Sequence, residues 1–273
     1  MNIRFLGTGA ADWSLPNDEE EKNVEYRRYC SAIVTPDDDD DSSSLLIDPG
    51  PHIFHFAVKK FMPYLFDDVR NVLITHSHSD HFNPSTIVYL NQFIRVEFWG
   101  TEAVANKLLK SGMDISGVSF NFIEPGKEYR IGDFKVLPLR ANHVTDDSNE
   151  TVLNYVIEKN YGNGNVKRIF YGLDSSWFDL RTWNTIRHMK MDAMVLECTI
   201  GDIKGDYRVF EHTSIPMLEI MLDTIRSKGY CGENARIYVS HMARTLHGTQ
   251  KELEERLAPL NVIPAYDGMV AEV

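Results

Sequence analysis

The stretch Asn71 to Phe82, NVLITHSHSDHF, places four metal-ligand side chains, His76, His78, Asp80 and His81, within six positions. An apolar run rich in β-branched residues, Val72 to Thr75, precedes them and reads as a buried strand. Extended backbone alternates its side chains, so His76 and His78 emerge on the same side. Asp80 and His81 follow the turn and can face a second point a few ångströms away. Imidazole and carboxylate both bind divalent ions, and the arrangement suits two ions roughly 3.5–4 Å apart rather than one. Such a pair needs further ligands, expected at the ends of other strands.

The elements that would deliver them follow from periodicity and turn chemistry. Ser31–Thr35 and Ser44–Ile47 read as a hairpin, and Asp48-Pro49-Gly50 ends its second strand with a carboxylate. Phe134–Leu139 runs into Arg140-Ala141-Asn142-His143. Val152–Glu158 and Val166–Leu173 form a hairpin around Gly162-Asn163-Gly164-Asn165, and the second strand ends at Asp174. Ala193–Glu197 is a strand leading to Cys198-Thr199, and Arg236–Val239 delivers Ser240-His241. Further strands are expected at Ile3–Leu6, Val96–Trp99, Val118–Ile123, Glu128–Ile131, Val262–Pro264 and Met269–Val273. Helices are expected over His52–Phe66, Pro84–Phe93, Thr101–Lys110, Trp177–Met189, His212–Lys228 and Gln250–Leu257. Strands come first and strand–helix alternation later, which suggests an α/β (α+β) sandwich of two mixed sheets with helices outside.

Composition narrows the function. A chain of 273 residues, 43% hydrophobic and 25% charged, has ample core and reads as a single domain over residues 1–273. The net charge of −12 is the wrong sign for general nucleic-acid affinity. No stretch approaches the roughly 20 apolar residues of a membrane span, and Met1–Leu6 is too short for a signal peptide. Three scattered cysteines, Cys30, Cys198 and Cys231, argue for a reducing compartment and a cytoplasmic protein; each reads as a core or loop residue. The polar segment Asn17–Arg28 and the aspartates 37–41 read as solvated loops. Asp267 suits a turn or the site's edge equally, and His247 reads as a helix entry.

With His76-x-His78-x-Asp80-His81, then His143, Asp174 and His241 in that order, the chain resembles the metallo-β-lactamase superfamily. The resemblance covers nearly the whole length, including Gly7-Thr8-Gly9 and Asp48-Pro49-Gly50. It implies an αββα four-layer sandwich and a dinuclear site. By that analogy His76, His78 and His143 hold one ion, Asp80, His81 and His241 the other, and Asp174 bridges. Asp174 rather than cysteine at the bridging position looks like the hydrolase and phosphodiesterase branches. Glu211-His212-Thr213-Ser214 resembles the branch of tRNA 3′-processing endonucleases and the phosphoribosyl cyclic phosphodiesterase of phosphonate breakdown. The strings YRRYCSAIV, LPLRANH, LECTIGD and YDGM look closest to the latter, although the cysteine cluster for an extra structural zinc is missing.

The resemblance implies two divalent ions, zinc or manganese, with iron fitting the same ligands. The expected reaction is attack of a metal-bridging hydroxide on a small cyclic or nucleotide-like phosphodiester, with Asp80 in the catalytic set and His212 as general acid. Asp48 is expected behind the ligands, orienting one by a hydrogen bond. The expected partner is a small-molecule substrate, with neither membrane nor nucleic acid, and the chain is either monomer or homodimer. Competing readings are a tRNA 3′-processing endoribonuclease, a lactonase or thioesterase, and a metal-dependent carrier like the pyrroloquinoline quinone synthesis protein.

Overall fold

A computed structural model describes residues 1–23, 25–36 and 43–273; the aspartate run at 37–41 lies outside them. Two seven-stranded sheets carry the chain. In spatial order the first contains β14 (Val270–Glu272), β1 (Asn2–Gly7), β2 (Ser31–Thr35), β3 (Ser44–Ile47), β4 (Val69–Leu73), β5 (Glu97–Gly100) and β6 (Ser119–Phe122). The second contains β7 (Tyr129–Ile131), β8 (Phe134–Arg140), β9 (Leu153–Asn160), β10 (Val166–Gly172), β11 (Met191–Glu197), β12 (Cys231–Ser240) and β13 (Ile263–Pro264).

Both sheets follow one pattern. From β14 to β3 every pairing is antiparallel, and from β3 to β6 every pairing is parallel. From β7 to β10 the pairings are antiparallel, and from β10 to β13 parallel. Parallel neighbours bring their carboxyl ends to one edge of the sheet, where α/β proteins collect ligands.

The sheets pack face to face through Phe5, Val34, Leu45, Tyr155, Tyr171, Val195 and Tyr238. Alternation then sends Leu46, Val72 and Phe98 to the opposite face of the first sheet. There they meet helices α1 (Ile53–Lys59), α2 (Pro84–Phe93) and α3 (Glu102–Lys110) through Phe56, Ile87 and Leu108. On the second sheet, Phe170, Met194 and Val239 meet α4 (Leu180–Ile186), α5 (Ile215–Ser227) and α6 (Gln250–Leu257) through Ile186, Leu222 and Leu257. Strands buried on both faces lose polar alternation, which is why these segments read as near-continuous apolar runs. Each such fully buried aliphatic or aromatic side chain contributes about 1.5–3 kcal/mol. The result is the expected αββα sandwich.

Three helices are shorter than their apolar spacing predicts. The first ends at Lys59 instead of Phe66, because Phe61 takes a left-handed backbone (φ 53°) and Pro63 follows. The fourth starts at Leu180, where the Asp179 side chain accepts from Thr182 N at 2.9 Å. The fifth starts at Ile215, with the Ser214 side chain as cap and Pro216 in the first turn, so His212 lies outside the helix. The segment before β2 is not all solvated loop. Arg27 and Arg28 are both buried, and Arg28 pairs with Glu21 and, at 3.2 Å, with Asp267. Asp267 is buried as well, accepting from Thr8 Oγ1 at 2.9 Å and Arg28 N at 2.8 Å.

Candidate metal centre

The carboxyl ends of β3, β4, β10, β11 and β12 converge on one edge of the sandwich. Asp48 follows β3, and its Oδ1 accepts from Thr75 N at 2.8 Å, tying the tip of one strand to the next. The loop after β3 lies directly on the histidine loop. A Cβ at Gly50 would sit 2.2 Å from Asp80 O, so only glycine permits this approach. Beyond Thr75 the chain turns tightly, with His81 N and Phe82 N both donating to His78 O. That turn sends His76 and His78 one way and Asp80 and His81 another.

His76, His78, His143 and Asp174 form one group of ligand atoms. His78 Nδ1 lies 2.9 Å from His76 Nε2 and 3.2 Å from His143 Nε2. The far nitrogen of His143 faces Glu211 O at 3.2 Å, and that of His76 faces Thr75 Oγ1 at 3.0 Å. Cys30, Asp80, His81 and His241 form a second group, all four buried. His81 Nε2 lies 3.4 Å from His241 Nε2, and Asp80 Oδ2 is 3.3 Å from the same His241 atom. Here too the remote nitrogens are anchored, His81 Nδ1 by Asp48 Oδ2 at 2.9 Å and His241 Nδ1 by Thr199 Oγ1 at 2.8 Å. Anchoring one ring nitrogen fixes tautomer and orientation and leaves the other free to bind.

Asp174 stands between the groups. Its Oδ2 is 2.8 Å from His81 Nε2 and 3.2 Å from His76 Nε2, while its Oδ1 is 2.8 Å from His241 Nε2. Oδ1 is buried yet makes no aligned hydrogen bond, even to the imidazole nitrogen beside it. Nitrogen and oxygen lone pairs crowd toward common points without sharing protons in good geometry, which is the chemistry of a donor set for divalent ions. The backbone is strained to achieve it, for Asp48, Asp174 and His241 all adopt positive φ, at 52°, 45° and 58°. Such values are uncommon outside glycine and cluster at functional positions.

The electrostatics divide the histidines. Burial pushes His76 far below the ordinary imidazole range, and the neighbouring His81 pushes the same way. Burial followed by His143 likewise lowers His78. For His81, burial is outweighed by Cys30, Asp174, Asp80 and Asp48, which hold it well above that range. Burial would raise Asp174, but His241, His81 and His143 keep it ionised well below the ordinary carboxylate range.

His212 is near both groups without joining the three-histidine one. Its ring lies 4.8 Å from His143 and stacks on His241 at 5.6 Å. Its Nδ1 meets both oxygens of Glu197 at 3.2 Å and is 3.8 Å from Asp174 Oδ1. Glu197, the last residue of β11, also accepts from Thr199 Oγ1, Thr213 N and Ser175 N. Burial would lower His212, but Glu197 outweighs it and the net displacement is upward.

Every site residue expected from sequence is therefore at this edge: His76, His78, Asp80, His81, His143, Asp174 and His241 in the clusters, His212 beside them and Asp48 behind. Glu197 and Thr199 were not anticipated; a carboxylate directly ending an apolar strand was the available signal. Cys30, expected as a core residue, has its Sγ 3.5 Å from His81 Nε2. His247 donates to or accepts from nothing in the clusters and instead approaches Thr199 O at 3.2 Å. A cavity of about 360 Å³ opens over the clusters, lined also by Asp12, Arg208 and Glu211.

A sequence profile described as Beta-lactamase superfamily domain matches residues 44–259. Ribonuclease Z of Methanopyrus kandleri is 29% identical over 145 residues, 52% of this chain and 46% of that protein, so the chain matches about half the length of this curated relative. Among solved structures, a diphosphatase from the PhnP family superposes with TM-score 0.73 at 15% identity, covering 100% of this chain and 97% of the other. Human tRNase Z, short form, gives 0.68 at 16% identity, covering 100% and 99%. No helix among the described residues is long and apolar enough to cross a membrane. The profile match, the sandwich and the His/Asp clusters suited to metal binding agree: the chain belongs to the metallo-β-lactamase superfamily of hydrolases.

Proposed function

We propose that the protein is a dinuclear phosphodiesterase acting on a small cyclic or nucleotide-like phosphodiester, with residues 1–273 forming one catalytic unit in the cytoplasm. His76, His78 and His143 would hold one divalent ion, Asp80, His81 and His241 the other, and Asp174 both; zinc and manganese suit the donors, and iron fits them too. Bound there, such ions supply Lewis acidity, lowering the pKa of water and neutralising charge on a phosphoryl group.

The observation that carries the reading is the His212–Glu197 pair beside the clusters. A phosphodiester leaves as an alkoxide and needs a proton. His212, buried and held at Nδ1 by a carboxylate, is in the charged form over a wider pH range than a free imidazole and can deliver one. Asp48 orients His81 by accepting at Nδ1. The cavity supports a small substrate, for among the described residues Arg208 is the only Lys or Arg lining it. Two similar proteins are by name a ribonuclease and a diphosphatase, which supports phosphoester chemistry.

The test is metal analysis followed by turnover of cyclic and linear phosphodiesters, a lactone and a thioester. His212→Ala is expected to keep its metal and lose roughly 10²–10⁴-fold in rate on an unactivated diester. Full turnover by that variant would remove His212 from the mechanism, and preference for lactone or thioester would remove phosphodiesterase activity. The likeness to Ribonuclease Z supports a second reading, an RNA substrate. A tRNA precursor in the same panel tests it.

A further inference from the structure

The most exposed apolar surface lies away from the metal clusters, where α1 and α2 end. Ile53 and Phe56 of α1 and Ile87 and Leu90 of α2 face the first sheet. Their neighbours Phe54, Val58, Tyr89 and Phe93 instead line an open groove of about 870 Å³ together with Phe61 and Ile94. Phe61 is 91% exposed, Tyr64 78% and Phe93 66%. Phe61 also has φ 53°, immediately after the C-cap Lys60, where a left-handed residue is normally glycine or asparagine. A bulky side chain in that conformation is an outlier. Nothing inside the chain compensates for it, because the ring points into solvent.

We propose that this face is the contact between two copies of the chain related by a two-fold axis, each copy's Phe61 entering the other's groove. An isologous contact requires one patch to carry both the protrusion and its complement. Here the protruding Phe61 and Tyr64 lie beside the Phe54–Tyr89–Phe93 groove on one surface. The size also fits. At about 200 Å² per aromatic side chain, the exposed fractions of Phe61, Tyr64, Tyr89 and Phe93 present on the order of 600 Å². A stable interface covers roughly 800 Å² per partner, so these rings with Val58 and a polar rim suffice. Aromatic residues are the type enriched at such interface centres.

The patch can be altered without touching the site. Phe93 closes α2, ten residues from Pro84 at its start, or about 15 Å along the helix; the histidine loop precedes that start. Sedimentation velocity and light scattering on the metal-loaded protein at micromolar concentration should give twice the 31.3 kDa chain mass. Phe61→Asp and Phe93→Asp, made separately, should each weaken self-association by at least about tenfold, with circular dichroism and metal content unchanged. A wild-type chain that sediments as a monomer overturns the proposal, as does a dimer that neither substitution weakens. A monomer that floats with phosphatidylcholine vesicles through Phe61 would assign the patch to lipid, and likewise overturns it.

Discussion

Asp48 and Asp174 occupy matching places in two sheets built on one plan. Each follows the strand where antiparallel pairing gives way to parallel, β3 in the first sheet and β10 in the second. Each has a left-handed backbone at that point, φ 52° and 45°. Yet the two carboxylates do different work. Asp48 faces back into the sandwich and binds Thr75 N, Thr75 Oγ1 and His81 Nδ1. Asp174 faces the cavity and sits within 3.2 Å of three imidazole nitrogens from three different elements. One backbone device thus provides a brace in one half and the centre of the donor set in the other. What separates them is the neighbouring loop: the histidine loop after β4 folds over Asp48 and covers it, while no such loop covers Asp174.

The largest effect should come from the centre. Asp174→Asn keeps the shape but removes the charge that both groups share, and is expected to abolish measurable turnover and strip metal from both groups. If it retains full metal and activity, Asp174 is no more central than Asp48. Removing the brace should do less. Asp48→Ala is expected to weaken metal binding about 10–100-fold, read by competition with a chelator, because His81 loses the partner of its Nδ1. An effect as large as that of Asp174→Asn would erase the distinction between them. Glu197→Gln tests the corresponding brace in the second sheet. It should leave metal content intact and slow turnover, since Glu197 meets His212 rather than the ligand nitrogens of the three-histidine group.

The smallest effect belongs to a histidine outside both groups. His52 stacks on Tyr29 at 4.0 Å, and burial, followed by Arg28, lowers its pKa to about 4. The unfolded chain, with an ordinary imidazole near 6.5, therefore binds more protons between those values. The stability His52 contributes is complete above pH 6.5 and is lost as pH falls toward 4. Urea midpoints of the chelator-treated protein should drop across that window, and His52→Gln should flatten the slope. An unchanged slope would show that His52 does not titrate there.

Much of this arrangement was legible in the sequence because parallel strands announce themselves as apolar runs and their tips carry the donors. His143, Asp174 and His241 each end such a run, and the pairing of Val166–Gly172 with Leu153–Asn160 follows from the Gly-Asn-Gly turn. Helix ends were less legible. Phe61 breaks α1 through a backbone conformation that its side chain disfavours, so no propensity argument could place the break. His212 precedes α5 because Ser214 caps it, and the apolar spacing alone extends the helix too far. Glu197 was hidden by its surroundings: a buried carboxylate is recognised by the four groups it satisfies, and those come from β11 itself and from loops at Ser175, Thr213 and His212. The orientation of Asp48, inward rather than toward the cavity, likewise depends on a contact 33 residues away.

The central claim is that two donor groups joined by Asp174 each hold an ion. Elemental analysis of the purified, metal-loaded chain tests it most directly. The account predicts about two divalent ions per chain, falling to one in His143→Ala, which empties only the three-histidine group. A wild-type chain that saturates with a single ion, or a His143→Ala variant that still holds both, would contradict it.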